Sequence, residues 1–327
     1  MADRPHPGEK VKNKPFLKKA RYRLEYAFFL LMKAIVLFLP RKTSLKIARV
    51  LGRLAWHVDS RHRRRALSNV GAAFVGEKSL AEMREIARNN FIHIAQTAVE
   101  LVRGLEITPE NYNDYFTYEG TEIAEPILKK RDETGKGIIA ITAHLGSQEM
   151  MLAHVLKYGI GKESIVTKRI RNPYIDYYIQ TQREKFRANV LPHRGSGKEI
   201  VRRILRGEII VFVLDQRASV YEAVRCRFFG RPVLAHKAIA QLALAFDLPV
   251  VPVFAIRTED GRYRFIYQTP INLIKTGDME KDTQTNTQLF QDCIERMVRL
   301  YPEQWWWAHD RWKHGEEAEP EEEPDDE

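Results

Sequence analysis

The sequence is poor in cysteine, because only Cys226 and Cys293 occur among its 327 residues. Two cysteines at this separation match neither a disulfide framework nor the spacing of a metal site. Both lie in apolar or mixed segments, where a buried free thiol is the usual interpretation. The cysteine content therefore argues against a disulfide-stabilised secreted fold and favours a reducing, cytosol-facing setting.

The N-terminal region lacks an apolar run long enough to cross a bilayer comfortably. The run Tyr26–Leu39 has 14 residues and contains Lys33, whereas a spanning helix needs about 20 apolar residues. Pro40, Arg41 and Lys42 follow where a signal peptide would have a small-residue cleavage site, so cleavage is not expected.

Basic residues stand directly before this apolar run. They are Lys10, Lys12, Lys14, Lys18, Lys19, Arg21 and Arg23. A basic flank beside a short apolar helix is what an interfacial anchor on an anionic membrane requires, with roughly 1 kcal/mol for each Lys or Arg near the surface. The run 26–39 is therefore interpreted as a membrane anchor, with an ordinary buried helix as the alternative.

Acidic residues are scarce in the body of the chain, because nine of the 43 lie in residues 315–327. Without that segment the formal charge of +10 would be +19. So many charges with so little apolar area predict a disordered tail. The basic body suits nucleic acid, anionic lipid or a phosphorylated substrate, and its sign alone does not choose among them.

A nucleotide-binding loop is also missing, although the segment GSGKE, Gly195–Glu199, suggests one at first sight. Pro192 stands in place of the first glycine, and Glu199 stands where a Ser or Thr would bind magnesium. The P-loop pattern therefore fails at two of its defining positions, and nucleotide binding is set aside.

Hydrophobic periodicity divides the chain into a helical part and an α/β part. Ser79 and Glu82 form a capping box for a helix that ends near Gly104, and His93 lies on its apolar face, as a core histidine would. After Gly120 short strands alternate with helices: GIIAIT, ESIVT, EIIVFVLD, LPVVPVFAI and RYRFIYQTP. The last strand alternates in polarity and is therefore expected at an edge.

The predicted fold class is α/β, with a mostly buried mixed sheet flanked by helices and preceded by a helical N-terminal region with a membrane-anchoring helix. The predicted divisions are a basic segment 1–25, a helical region 26–119 with the anchor 26–39, a core 120–314 and a disordered acidic tail 315–327.

A histidine and a glutamate stand where the first long strand gives way to a helix. His144 and Glu149 would diverge on a continuous helix, because residues five apart are separated by about 140°. A bend at Gly146, with a helix beginning near Ser147, lets them converge at the carboxyl end of the strand, where open α/β sheets bind ligands. A neutral imidazole held by a carboxylate at Nδ1 is a general base for a hydroxyl.

The alternative is a strand-end histidine that only satisfies a backbone group. Three other histidines are weaker candidates, because none has a carboxylate at comparable spacing in a strand-to-helix turn: His154, His193 and His236.

Four segments occur in a characteristic order: AHLGSQE, IVTKRIRNPYIDYYIQTQREKF, GEIIVFVLDQRASVYEAVRCRFFGRPVLAHKAIAQLALAFDLPVVPVF and YPEQWWWAHDRWK. They resemble the His-x4-Asp/Glu block, the basic block ending in Asn-Pro, the Asp-Gln and Phe-Phe-Gly blocks and the Pro-Glu-Gln-Trp signature of the lipid A biosynthesis acyltransferases. This branch, the lauroyl and myristoyl transferases, belongs to the lysophospholipid acyltransferase superfamily. The resemblance extends from Arg23 to Lys313.

The chain departs from this pattern at a few positions. Leu145, Ser147 and Gln148 stand where the family commonly has Phe, Asn and Trp, and Lys168 stands where an arginine is expected. These differences do not change the predicted reaction class. They leave open which acceptor is used and which basic residue binds phosphate.

The resemblance implies a membrane-associated O-acyltransferase, with His144 as general base, Glu149 orienting it and an acyl thioester as donor. Asp215 would either hold Arg169 or Arg171 in place or cap the next turn. The residues expected to bind phosphate of the acceptor or of the donor's pantetheine arm are Lys168, Arg169 and Arg171.

The implied partners are acyl carrier protein or acyl-coenzyme A as donor, a glycolipid acceptor and the membrane surface, at the cytoplasmic face of the bacterial inner membrane. The basic surface favours acidic acyl carrier protein. No metal and no cofactor is implied.

Several alternatives stay open. The acceptor could instead be a lysophospholipid or a mannosylated phosphoinositide, and a non-catalytic membrane scaffold would share the anchor and the sheet. A nucleic-acid binder is disfavoured, because the basic residues gather beside an apolar anchor and not among aromatics on a strand platform. The segment WWWAHDRW, Trp305–Trp312, fits a cofactor-stacking patch, plain core or, preferably, an interface belt or wall near the acyl site.

Overall fold

The computed structural model describes residues 16–104, 107–108, 110–147, 150–151, 163–185, 188–193 and 195–313. Glu149, His154 and the acidic tail 315–327 lie outside these ranges, so the predictions made for them stay predictions.

The N-terminal region is helical, as predicted. Its helices are α1 (Phe16–Phe38), α2 (Arg41–Val58), α3 (Ser60–Ala73) and α4 (Leu80–Arg103). The capping box at the start of α4 is present, because the Ser79 hydroxyl accepts from the Glu82 backbone N–H and the Glu82 carboxylate accepts from the Ser79 N–H. Within the described ranges, no helix combines the length and the apolarity that crossing a bilayer requires.

Among the described residues, seven strands form one mixed sheet in the order β1-β9-β8-β2-β5-β3-β4. The strands are β1 (Phe116–Glu119), β2 (Ile138–Thr142), β3 (Glu163–Thr167), β4 (Ala188–Pro192), β5 (Ile209–Val213), β8 (Val250–Arg257) and β9 (Tyr263–Tyr267). Neighbours pair in parallel except β8 and β9, which are antiparallel. The strands β6 (Ala223–Phe228) and β7 (Arg231–His236) form a separate antiparallel hairpin.

Helices cover the sheet, and their bounds are α5 (Thr121–Thr134), α6 (Pro173–Lys185), α7 (Gly197–Ile204), α8 (Ala238–Ala245) and α9 (Met279–Leu300). All five residues of β2 are buried, because a central parallel strand has apolar neighbours on both faces. Ile139 and Ile141 face one apolar cluster with Trp56, while Ile138 and Ala140 face a second cluster on the other side. The α/β class with a mixed, helix-flanked sheet is confirmed.

Two details of the sheet differ from the prediction. The strand β9 does not lie at an edge, because β1 pairs with its outer side and supplies the edge instead. The first sheet strand also begins at Phe116, four residues before the predicted start of the core. A four-residue strand with two aromatic residues gives too short a pattern to be identified from the sequence.

Candidate active site

The site begins where two neighbouring strands end. The strands β2 and β5 are parallel, with Thr142 opposite Val213, and the Leu214 N–H donates to the Thr142 carbonyl at 3.0 Å. His144 follows β2 and Asp215 follows β5, so both residues emerge at the carboxyl edge of the sheet. This edge is where open α/β sheets bind their ligands.

His144 and Asp215 are in direct contact. The Nδ1 atom of His144 lies 2.8 Å from Oδ1 of Asp215, and the His144 backbone N–H donates to Oδ2 at 3.0 Å. The indole N–H of Trp305 also donates to Oδ2, at 2.7 Å. The Asp215 side chain is 2% exposed and that of His144 is 22% exposed, so a buried, fully bonded carboxylate holds an imidazole that solvent can reach.

The electrostatics favour a charged carboxylate beside a titratable imidazole. Burial alone would lower the pKa of His144, but the charge and hydrogen bond of Asp215 raise it above its usual value of about 6.5. Burial would raise the pKa of Asp215, but His144, Trp305 and the backbone N–H lower it. Asp215 therefore stays ionised, and His144 is a base of increased strength.

The second ring nitrogen of His144 faces Gln216. The amide Nε2 of Gln216 lies 3.0 Å from Nε2 of His144. If Nδ1 carries the proton shared with Asp215, the other nitrogen is an acceptor, and the amide NH2 group is its natural donor. The backbone carbonyl of Gln216 accepts from the buried guanidinium of Arg311 at 3.1 Å, which fixes this residue beneath the imidazole.

The turn after His144 depends on a glycine. Gly146 has a φ of +72°, and a Cβ built there would lie 1.8 Å from the carbonyl oxygen of Ala255. A side chain would therefore meet backbone in a conformation that L residues rarely adopt. The Met151 N–H donates to the Ser147 carbonyl at 3.1 Å, which is the four-residue spacing of an α-helical hydrogen bond.

The tryptophan segment packs behind and beside this turn. Trp305 and Trp307 are buried, with ring centroids 4.6 Å apart, and belong to the core. Trp306 is 45% exposed, and its backbone N–H donates to the His144 carbonyl at 3.0 Å. Its ring centroid lies 6.3 Å from that of His144. Of the interpretations offered for this segment, Trp305 and Trp307 fit core and Trp306 fits a wall beside the histidine.

A buried polar network supports the same turn from α4. The guanidinium of Arg257 donates to Glu100 through two nitrogens and to Nδ1 of His93, the latter at 2.7 Å. The Nε2 atom of His93 lies 3.0 Å from the Gly146 carbonyl, and Tyr263 donates to Glu100. Burial and the charge of Arg257 hold the pKa of His93 well below its usual value. His93 is therefore a neutral core histidine that donates to the turn.

We expect Glu100→Ala to destabilise the protein by about 3 to 5 kcal/mol, because it leaves the buried guanidinium of Arg257 without its carboxylate. Urea unfolding measures this change. Glu85→Ala is the control, because Glu85 lies on the same helix in an exposed ion pair with Arg88 at 3.6 Å, and such pairs contribute little. Equal unfolding midpoints for the two variants would contradict the role given to the network.

The basic block lies at the carboxyl end of β3, next to β5 in the sheet. Arg169, whose side chain is 71% exposed, pairs with the buried carboxylate of Asp176 at 2.9 Å. Lys168 and Arg171 are exposed and have no hydrogen-bond or ion-pair partner within the described part of the chain. Two cations are thus available to a ligand at the edge that also carries His144.

The structure brings together only some of the site residues that were predicted from the sequence. The structure pairs Asp215 with His144 and Arg169 with Asp176. The first of the two roles considered for Asp215, a contact with Arg169 or Arg171, is therefore not found among the described residues. Glu149, the predicted orienting carboxylate, lies outside the described residues. The Asp215–His144 contact was not predicted from the sequence. The signal that could have suggested it is the Asp-Gln pair directly after an apolar strand.

Two of the histidines rated as weaker candidates, His193 and His236, do not join the pair, and the third, His154, lies outside the described residues. The backbone N–H of His193, after β4, donates to the Thr167 carbonyl at 3.1 Å, and His236 ends the hairpin strand β7. Among the described residues, no group of three or more His, Cys, Asp and Glu side chains is arranged to hold a metal ion.

Comparison with known proteins agrees with the resemblance. The model of the family described as bacterial lipid A biosynthesis acyltransferase matches residues 11–314. The chain is 26% identical over 280 residues to the lipid A biosynthesis myristoyltransferase of Escherichia coli (strain K12), covering 84% of this chain and 82% of the relative.

Two further relatives extend the comparison. The lipid A biosynthesis lauroyltransferase of the same strain is 23% identical over 292 residues, covering 88% and 90% of the two chains. The lipid A biosynthesis acyltransferase 2 of Shigella flexneri is 24% identical over 264 residues, 80% of each chain. The prediction of an acyltransferase is thereby confirmed, and the chain belongs to the bacterial lipid A biosynthesis acyltransferase family.

Proposed function

We propose that this protein transfers a fatty acyl chain from an acyl thioester to a hydroxyl group of a glycolipid, namely a lipid A precursor. The observation that carries the proposal is the contact between His144 and Asp215 at the carboxyl edge of the sheet. A base at this position, at the same sheet edge as two cations that have no ion pair among the described residues, suits an acceptor that presents both a hydroxyl and a phosphate.

The reaction needs a general base and no protein nucleophile. The Nε2 atom of His144 takes the proton of the acceptor hydroxyl as its oxygen attacks the thioester carbonyl carbon. The tetrahedral intermediate then collapses, the carbon–sulfur bond breaks, and the proton on His144 passes to the departing thiolate. Asp215 stabilises the transient imidazolium and keeps Nδ1 protonated in the resting state.

Gln216 occupies the position that the acceptor hydroxyl must take, because its amide already donates to Nε2 of His144. The acceptor displaces this amide when it binds. In the resting enzyme the same amide selects the tautomer in which Nε2 carries no proton and is a hydrogen-bond acceptor. Gln216 is therefore a positioning residue that prepares His144 for its role.

The basic block recognises phosphate. Lys168 and Arg171 have no ion-pair partner among the residues that the structure describes, whereas Arg169 is held by Asp176. Charge-assisted hydrogen bonds to phosphate are stronger than neutral ones, and a guanidinium can bind two phosphate oxygens at once. The phosphate belongs either to the acceptor or to the pantetheine arm of the donor.

We expect Lys168→Ala and Arg171→Ala each to raise the KM of the phosphate-bearing substrate about 10- to 100-fold, because each loses a charge-assisted bond of about 1.5 to 3 kcal/mol. Arg169→Ala should act less strongly, since Asp176 already neutralises this cation. Lys129→Ala, an exposed lysine on α5 that pairs with Glu133 at 3.9 Å, is the control. Wild-type kinetics in all three single variants would show that these residues are only solvent-exposed side chains before α6 and do not bind phosphate.

An apolar cavity gives room for part of an acyl chain. It encloses about 60 Å³ between α5 and the sheet and is lined by side chains of β2, β5, β8 and β9, among them Ala140, Val211 and Val253. The lining also includes the buried Glu163 at the amino end of β3, the sheet edge opposite to His144, and burial raises the pKa of this carboxyl to about 7. An apolar wall of this kind is what a fatty acyl chain requires.

The donor and the location are part of the proposal. The excess of basic residues suits an acidic acyl carrier protein as donor by electrostatic steering. The exposed apolar residues of α1, with Phe28 63% and Phe38 89% exposed, support peripheral attachment at the cytoplasmic face of the inner membrane.

The experiment that tests the proposed function is transfer of a labelled acyl group to a lipid A precursor by the purified protein. Acyl carrier protein and coenzyme A are compared as carriers in parallel reactions, and the product is identified by lipid mass spectrometry. Label on a lysophospholipid and none on the lipid A precursor would contradict the acceptor, and no transfer to either would contradict the proposed function.

A further inference from the structure

The helix α2 presents three distinct faces. Its buried residues pack toward α4 and are Ser44, Leu45, Ala48, Gly52 and Trp56. A second set is apolar yet 43% to 82% exposed, namely Ile47, Val50, Leu51, Leu54 and Val58. The third set is basic and exposed and consists of Lys42, Lys46, Arg49, Arg53 and His57.

Helix geometry separates these sets cleanly. At 100° per residue, the exposed apolar side chains fall within about 60° on either side of the direction of Ile47. The buried set is centred about 120° away in one sense, and the basic set about 120° away in the other. One helix thus carries a face for the protein body, an apolar face in solvent and a cationic face.

Within the part of the chain that the structure describes, no acidic side chain neutralises the cationic face. Lys42, Lys46, Arg49 and Arg53 have no ion pair within the described ranges, and α2 itself contains no Asp or Glu. An apolar face beside unpaired cations and without acids is complementary to anionic lipid, where the acyl region lies next to phosphate groups.

The adjoining helix α1 has a similar exposed stripe at helical spacing: Leu24, Phe28, Leu31, Ile35 and Phe38. The corner between the two helices is fixed, because the buried guanidinium of Arg103 donates to the carbonyls of Val36 and Leu39 and to the hydroxyl of Ser44. Both stripes are therefore held rigidly against the protein body.

The helix α1 also contacts the loop that carries the basic block. The Asn172 amide donates to the Tyr22 carbonyl and to the Glu25 carboxylate, both at 2.9 Å, while its oxygen accepts from the Tyr174 N–H at the start of α6. Asn172 directly follows Arg171. A surface that holds α1 on lipid would therefore keep the phosphate-binding cations close to that lipid.

We propose that α2 is a second membrane-binding helix, which lies in the plane of an anionic bilayer surface with its exposed apolar face among the acyl chains and its cationic face at the phosphates. This inference rests on the membrane attachment in the proposed function. It adds a second lipid-binding surface, outside the predicted anchor 26–39. The occupant of the surface is lipid, and a second copy of the chain is the competing outcome.

The test is flotation of the full-length protein with vesicles of phosphatidylethanolamine and phosphatidylglycerol. The double variant Leu51→Gln/Leu54→Gln should bind at least about tenfold more weakly than wild type, because two apolar side chains no longer enter the acyl region. Leu205→Gln/Leu300→Gln is the control, since both leucines are exposed, 65% and 67%, on the α/β core. It should bind like wild type.

A second pair of variants tests the cationic face. Arg49→Gln/Arg53→Gln should weaken binding to the anionic vesicles about tenfold or more and should leave the weaker binding to phosphatidylcholine vesicles unchanged. The inference is overturned if Leu51→Gln/Leu54→Gln floats like wild type, or if its only change is a smaller oligomer on gel filtration, which would assign the face to a second copy.

Failure of this inference can be distinguished from failure of the proposed function. Acyl transfer assayed in detergent micelles does not depend on docking, so Leu51→Gln/Leu54→Gln should keep the wild-type rate there. A protein that floats as expected but transfers no acyl group would leave the role of α2 intact and contradict the proposed reaction.

Discussion

His144→Ala should lower acyl transfer by a factor of about 10² to 10⁴ and leave the fold intact, because it removes the group that we propose accepts the hydroxyl proton. The substitution also deprives Asp215 of one partner, so His144→Asn is the companion variant. An asparagine amide can still donate to the carboxylate but cannot act as a base. Labelled transfer by both variants is measured beside their thermal unfolding.

The two variants separate chemistry from folding. If His144→Ala is inactive but unfolds at lower temperature, a stable and equally inactive His144→Asn still assigns the loss to the base. Transfer by a folded His144→Asn at more than about a tenth of the wild-type rate would be too fast for an enzyme that has lost its general base.

Asp215→Asn should lower turnover by a factor of about 10² to 10⁴, because the amide that replaces the carboxylate can donate to Nδ1 of His144. That donation would place the imidazole proton on Nε2, which can then no longer accept one. Glu149→Gln should leave some activity. A greater loss in Glu149→Gln than in Asp215→Asn would transfer the orienting role to Glu149.

Asp215→Asn should also change the pH dependence of kcat/KM. The carboxylate of Asp215 raises the pKa of His144 above 6.5, against the lowering effect of burial. Wild-type kcat/KM should therefore fall as the pH drops through a value above 6.5, because protonated His144 is no base. In Asp215→Asn the charge is gone and burial remains, so this decline should move to lower pH.

Sequence patterns predicted those helices and strands whose formation depends on residues close together in the chain. The capping residues of α4 are three positions apart, and β2 and β5 are apolar because each lies between two strands of a covered sheet. The location of His144 at a strand end followed from the change in period within a few residues. The strands β1 and β4 were not predicted, because β1 has only four residues and β4 contains Asn189 and Pro192, two residue types that are rare in strands.

The pairing within the site could not be predicted in this way. Asp215 lies 71 positions after His144, and the two meet only because β2 and β5 are neighbours in the sheet, an order set by the whole topology. Glu149 was favoured because it was near in sequence. The same limitation applies to Glu100, His93 and Arg257, which come from a helix and a strand far apart in the chain.

The most direct test of the central claim, that His144 and Asp215 act as one unit, is acyl transfer by the double variant His144→Ala/Asp215→Asn beside the two single variants. Residues that act together give losses that do not multiply. The double variant should therefore be no slower than His144→Ala alone. If its loss instead equals the product of the two single losses, the two residues act independently and the proposed pair is wrong.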